Sequence, residues 1–193
     1  MENINIAYEA FDQANAKDPN TTLVDGQPIP KELIYGQRMT AVLEQFNSEA
    51  SIALKLAARS QHICRWEISR SDYEKDRIGY LTWRKDLKKL HAHKSGEILH
   101  SLGFDSELIN RVSFLLEKKK LKKDIETQCL EDVICLVFLK YYYEDFFIKH
   151  NDEKVVDILQ KTWKKMSEKG HQAALKLSYS EKGLSLIKTA LGV

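Results

Sequence analysis

The sequence predicts an all-α protein: one helical domain over residues 1–193, a bundle with a very hydrophobic central helix at about residues 128–149. Three observations predict it. All three prolines lie within residues 18–30, so nothing from Lys31 onward carries the residue that breaks helices. Apolar residues recur at i, i+3, i+4, i+7 in segment after segment, the spacing of one helix face, and no run alternates with the period of a strand. At 43% hydrophobic and 30% charged residues the chain belongs with folded rather than disordered proteins.

Each element follows from the pattern in order. Ile4, Ala7, Tyr8 and Phe11 form the face of a first helix, and the proline stretch Asp18–Pro30 is a connection. After Pro30, a natural first-turn residue, Tyr35, Met39, Val42, Leu43 and Phe46 make the next stripe. Ser48 is expected to cap a third helix carrying Ile52, Leu56 and Ala57 toward His62. A loop near residues 68–73 precedes a long helix that stops at Gly103. Asp105 caps a helix with Leu108, Val112, Leu115 and Leu116 inward, and its Lys118–Lys123 end suits the negative pole of the helix dipole. From Thr127 to about Lys149 the chain is apolar nearly all round, as befits a bundle centre. Asn151 and Ser167 cap two further helices, the first with Val155, Leu159, Trp163 and Met166 inward. Leu184, Ile187 and Leu191 close the chain as a helical appendage at about residues 180–193.

The formal charge of +2 excludes a wholesale polyelectrolyte. The first residues lack the basic and apolar regions of a secretory signal, and the run Val133–Leu139 is too short to cross a bilayer. Cys64, Cys129 and Cys135 sit among apolar neighbours without C-x-x-C spacing, as reduced thiols do. Together these features lead to the expectation of a cytoplasmic protein with no membrane partner.

Helical phase sorts the histidines. His91 shares a stripe with Leu87, Ile98 and Leu102 and points inward, whereas His93 and His100 share a polar face with Asp86 and Glu97. Asp132 falls on the face of Cys129, Leu136, Leu139 and Tyr143, where a carboxylate is expensive unless a cation, a metal or several donors meet it. His62 ends an aliphatic helix and is followed by Cys64-Arg65-Trp66. Inward His62, His91 and Asp132 form either an acid–base or metal-ligand set, or three side chains satisfied separately, each imidazole by a backbone carbonyl and Asp132 by an N–H or an arginine.

Basic residues divide by type. Lysine is spread over the surface, whereas five of the seven arginines fall between residues 59 and 84. Arg59, Arg65, Arg70, Arg77 and Arg84 lie there with Trp66 and Trp83. Arginine's planar fork matches phosphate and stacks on aromatic rings, so the segment reads as an anion-recognising wall for a phosphate-bearing small molecule or nucleotide, with nucleic acid a further partner class. The alternative is a set of structural ion pairs with Asp72, Glu74, Asp76 and Asp86.

The motifs Asp25-Gly-Gln-Pro-Ile-Pro-Lys-Glu-Leu33, Arg59-Ser-Gln-His-Ile-Cys-Arg-Trp-Glu67, Tyr80-Leu-Thr-Trp-Arg84, Leu130-Glu-Asp-Val133 and Lys161-Thr-Trp-Lys-Lys-Met166 together resemble the uncharacterised family known as domain of unknown function 4202. More distantly, the chain is similar to HD-domain metal phosphohydrolases. That resemblance implies a divalent metal on His62, His91 and Asp132, with Glu131 as a substitute or neighbouring carboxylate. It places Ile63 where the paired aspartate is expected and Arg38 where the first histidine is expected, so Arg38 would stand beside the site. Lys165-Met-Ser-Glu-Lys169 is similar to the signature loop of class I aminoacyl-tRNA synthetases, but Met166 completes an apolar stripe and Ser167 is a helix cap, so its role reads as structural. Two functions follow as expectations. One is a metal-dependent phosphohydrolase using His62, His91 and Asp132, with Arg59, Arg65, Trp66, Arg77, Trp83, Arg84 and Arg38 around the phosphate; the other is a non-catalytic nucleotide- or RNA-end-binding module.

Overall fold

The computed structural model describes residues 4–193. It is all-α apart from one short hairpin, and the chain divides into two compact units, Met1–Lys120 and Leu121–Val193. No helix of the described residues is long and apolar enough to cross a membrane.

In the first unit, α1 (Ile4–Asn15) buries Ala7, Phe11 and Asn15, the period predicted from its stripe. The expected proline connection instead contains strands β1 (Thr21–Val24) and β2 (Gln27–Pro30), paired antiparallel with Val24 opposite Gln27. Asp25 (φ 50°) and Gly26 (φ 78°) form the two-residue turn, and both have the positive φ that favours Asp-Gly at such hairpins. Prolines are tolerated because a two-stranded ladder leaves each strand one edge without a partner.

Helix α2 (Lys31–Phe46) begins directly after Pro30. Ser51, rather than the expected Ser48, caps α3 (Ile52–Arg59) by accepting a hydrogen bond from the Leu54 amide. Single 3₁₀ turns at Arg65–Glu67 and Arg70–Asp72 lead to α4 (Arg77–Ser101), and Gly103 (φ 81°) follows its end as expected. Asp105 caps α5 (Ser106–Leu116) through the Leu108 amide. Helices α4 and α3 pack on α5, while α1 packs against α2, α3 and α4. Met39, Leu43, Leu54, Leu56, Leu99 and Leu115 are among the side chains fully enclosed there.

In the second unit, α6 (Ile125–Tyr141) buries Leu130, Val133, Leu136, Val137 and Leu139. The expected single central helix is interrupted at Tyr142, after which α7 (Tyr143–Ile148) turns so that Tyr143 and Phe147 enter the core. Helices α8 (Asp152–Lys165), α9 (Glu168–Ala174) and α10 (Glu181–Leu191) are capped by Asn151, Ser167 and Ser180. Helix α9 packs on α6, and α10 on α8 and α7.

Candidate functional site

The backbone around His62 is held by buried polar side chains. Asn15, at the end of α1, donates to the Glu32 carbonyl at 3.3 Å and accepts from the Cys64 amide at 3.0 Å. Asp18 accepts from the Glu32 amide at 3.1 Å and from Asn20 at 2.9 Å. One side chain thereby fixes the start of α2 to the turn that carries His62. Cys64 itself has φ 53°, a left-handed conformation that costs a residue with a Cβ about 1 kcal/mol or more. It turns the chain between His62 and Arg65.

Four pieces of the first unit converge here. Glu32 Oε2 lies 3.3 Å from His62 Nδ1, and its Oε1 lies 3.7 Å from Arg65 Nε. Tyr35, one turn along α2 from Glu32, stacks on the His62 ring with centroids 4.0 Å apart and planes at 10°. From α4, the His91 ring stands 5.7 Å from that of His62, and Trp83 lies under the Arg65 guanidinium at 4.8 Å. Trp83 is itself fixed by donating Nε1–H to the Ile68 carbonyl, and Arg84 donates to Tyr80 Oη at 3.1 Å.

Burial and charge set the protonation states. His91, only 2% exposed, has Nδ1 at 2.8 Å from the Ile63 carbonyl. A carbonyl can only accept, so Nδ1 carries the proton and Nε2 keeps its lone pair. Burial first, then the neighbouring His62, holds the His91 pKa down at about 3. His62 is also held well below the usual imidazole range, by burial first and then by Arg65, Lys118 and Arg84. Its side chain nevertheless stays 24% exposed, so a neutral imidazole remains open to solvent within a cationic surround. Glu32 is pushed up to about 7, chiefly by burial, with Arg65 opposing the rise.

The structure brings together His62, His91, Arg65, Trp83 and Arg84 from the expected set. Arg59 does not join them, because its guanidinium is paired bidentately with Asp12 at 2.8 and 2.6 Å, donates to Thr40 and lies over the Tyr8 ring. Arg70 staples its own loop by donating to the Tyr73 and Glu74 carbonyls. Trp66 is half-buried in its 3₁₀ turn, Arg38 is half-buried on α2, and Arg77 is exposed at the first residue of α4. None of the bonds described for Arg59, Arg65 or Arg70 uses the expected carboxylates of Asp72, Glu74, Asp76 or Asp86. Tyr73, not an arginine, donates to Asp86.

Asp132 and Glu131 are buried on α6, in the second unit. Asp132 accepts from the Ser167 amide at 2.7 Å, the Ser167 hydroxyl at 2.6 Å and Gln128 at 3.1 Å. Its two oxygens thus anchor the N-terminus of α9, and the Lys165–Lys169 motif supplies that cap, as its structural reading expects. Among the described residues no three or more His, Cys, Asp or Glu side chains are grouped to hold one metal ion.

Glu32 and Tyr35 are site residues that the sequence reading left out, although the signal was present. The α2 stripe at Tyr35, Met39 and Phe46, continued backward by its own period, lands on Glu32, so a carboxylate occupies a core-facing phase. Comparison with known proteins finds no match among curated proteins and none among solved structures. Residues 5–187 match the family described as Domain of unknown function (DUF4202), and the chain belongs to that family.

Proposed function

We propose that the first unit binds a phosphate-bearing small molecule, a nucleotide foremost, at His62. One observation carries the reading: the solvent-reaching imidazole of His62 lies in the field of Arg65, Lys118 and Arg84, which with burial hold its pKa down, while Glu32 stands 3.3 Å from its Nδ1. Cations brought together around an uncharged group repel one another, and an anion placed among them removes that repulsion. Arg65 and Arg84 supply forked donors matched to phosphate oxygens. Tyr35, Tyr80 and Trp83 supply ring faces and edges beside them, the surroundings that suit a base.

Thermal denaturation with inorganic phosphate, AMP and adenosine tests this reading. Phosphate and AMP at about 100 times their Kd should stabilise the protein by about 2.7 kcal/mol, raising Tm by several degrees, and adenosine alone should do much less. Arg84→Ala and Arg65→Gln should each cut the phosphate-induced rise. Absence of any rise with phosphate and AMP, or an undiminished rise in the double variant, would overturn the reading.

A further inference from the structure

We propose that Glu32 and His62 form a carboxylate–imidazole dyad that removes a proton from water attacking a phosphate ester held by Arg65 and Arg84; this presupposes that the cationic site binds phosphate. The geometry supports each part. Glu32 Oε2 lies 3.3 Å from His62 Nδ1, within reach of a hydrogen bond, and the Glu32 side chain is only 14% exposed. A carboxylate facing Nδ1 selects the tautomer with the proton on Nδ1 and leaves the lone pair on Nε2. Tyr35 covers one face of the ring, and the His62 side chain still keeps 24% of its surface open.

The frame is built to hold this orientation. Asn15 and Asp18 bind the backbone of Glu32 at its carbonyl and amide, Asn15 also binds the amide two residues beyond His62, and Cys64 accepts a left-handed backbone to make the turn. Backbone strain beside a polar, partly open side chain is where functional groups are often positioned. Charged and titratable neighbours bear on the pair: Lys31 and Asp18 near Glu32, Arg65 on the Glu32 oxygen that does not face His62, His91 and Arg84 from α4, and Lys118 from beyond α5. The cations can offset the charge that gathers on phosphate oxygens, while the neutral imidazole accepts a proton.

The step balances without a further reactant. The water oxygen forms a bond to phosphorus as its proton passes to His62 Nε2. The bond from phosphorus to the leaving oxygen then breaks, and that oxygen takes the proton from Nε2, so the products are an alcohol and phosphate and the dyad is restored. Glu32 never touches the ester; it is a positioning residue acting through His62.

Hydrolysis of p-nitrophenyl phosphate in ¹⁸O-labelled water, with ¹⁵N NMR of the His62 ring, tests the proposal. The wild-type protein should release p-nitrophenol and place ¹⁸O in the phosphate, with His62 in the Nδ1–H form. Glu32→Gln should lose the tautomer preference and reduce turnover by about 10²-fold or more. His62→Gln, prepared identically, should show no turnover and control for contaminating phosphatase. Phosphate binding without turnover, turnover unchanged in Glu32→Gln, or a wild-type His62 in the Nε2–H form would each overturn the dyad while leaving phosphate binding standing. Absence of phosphate binding would instead remove the reading on which it rests.

Discussion

Replacing Glu32 by glutamine should make the protein more stable at alkaline pH, although it removes a charged group lying between His62 and Arg65. The carboxyl is raised from an ordinary 4.5 to about 7, so the folded state binds its proton more tightly than the unfolded chain does. The stabilising contribution is therefore complete below about pH 4.5 and is lost as pH rises through about 7. With ~1.4 kcal/mol for each tenfold change in proton affinity, the loss reaches about 3 kcal/mol at pH 8. Glutamine is nearly isosteric and cannot ionise, so Glu32→Gln escapes that loss. For a chain of this size the gain corresponds to about 6–12 °C in Tm. Thermal and urea denaturation of both proteins at pH 4.5, 6 and 8 should show a difference near zero at the lowest pH that widens upward. A variant that is less stable than wild type at pH 8, or a difference independent of pH, would refute the argument. If the gain appears together with lost turnover, the ionised carboxylate is kept at the expense of stability, a common trade at functional sites.

His91 should titrate the opposite way. Its pKa is depressed to about 3, so the stability it contributes is complete above about pH 6.5 and falls away as pH drops toward 3. His91→Asn should flatten that acid slope in urea denaturation at pH 4 and 7. Lys118 has φ 57° at the end of α5, where its amide bonds the Leu115 carbonyl and the Lys119 amide bonds that of Phe114, so Lys118→Gly should raise stability by about 1 kcal/mol, read as Tm without added anion. Gly170→Ala should destabilise by about 1–3 kcal/mol in urea denaturation, because its Cβ would stand 2.7 Å from Asp132 Oδ1, on the carboxylate that anchors α9.

Much of the fold was legible because local chemistry decided it. Asp105, Asn151 and Ser167 cap the helices that their positions imply, and Gly103 follows α4 in a positive φ. The β-hairpin was missed because Pro19, Pro28 and Pro30 read as chain breakers, although Asp25-Gly26 is a hairpin signal and an outer strand tolerates proline. Ser48 and Ser51 are equivalent as caps by residue type, and only the observed helix start at Ile52 chooses between them. At the site, the inward phase of His91 and the gathering of arginine with tryptophan were visible in the chain. The departure of Arg59 was not, because its partner Asp12 lies 47 residues away on α1. Asp132 falls on an inward face, but the Ser167 amide and hydroxyl that, with Gln128, satisfy it come from 35 residues onward.

Asn15 gives the site a consequence for how the first unit assembles. Its two bonds span 17 and 49 residues, so the register between Glu32 and His62 depends on contacts that close long loops and are slow to form in a folding chain. Until α1 docks, the turn at Cys64 lacks the acceptor that holds its amide, and the dyad and the arginines have no fixed relation to one another. Hydrogen exchange at the Cys64 amide would therefore report α1 docking directly, and anion affinity should emerge late in refolding, after the helices themselves have formed.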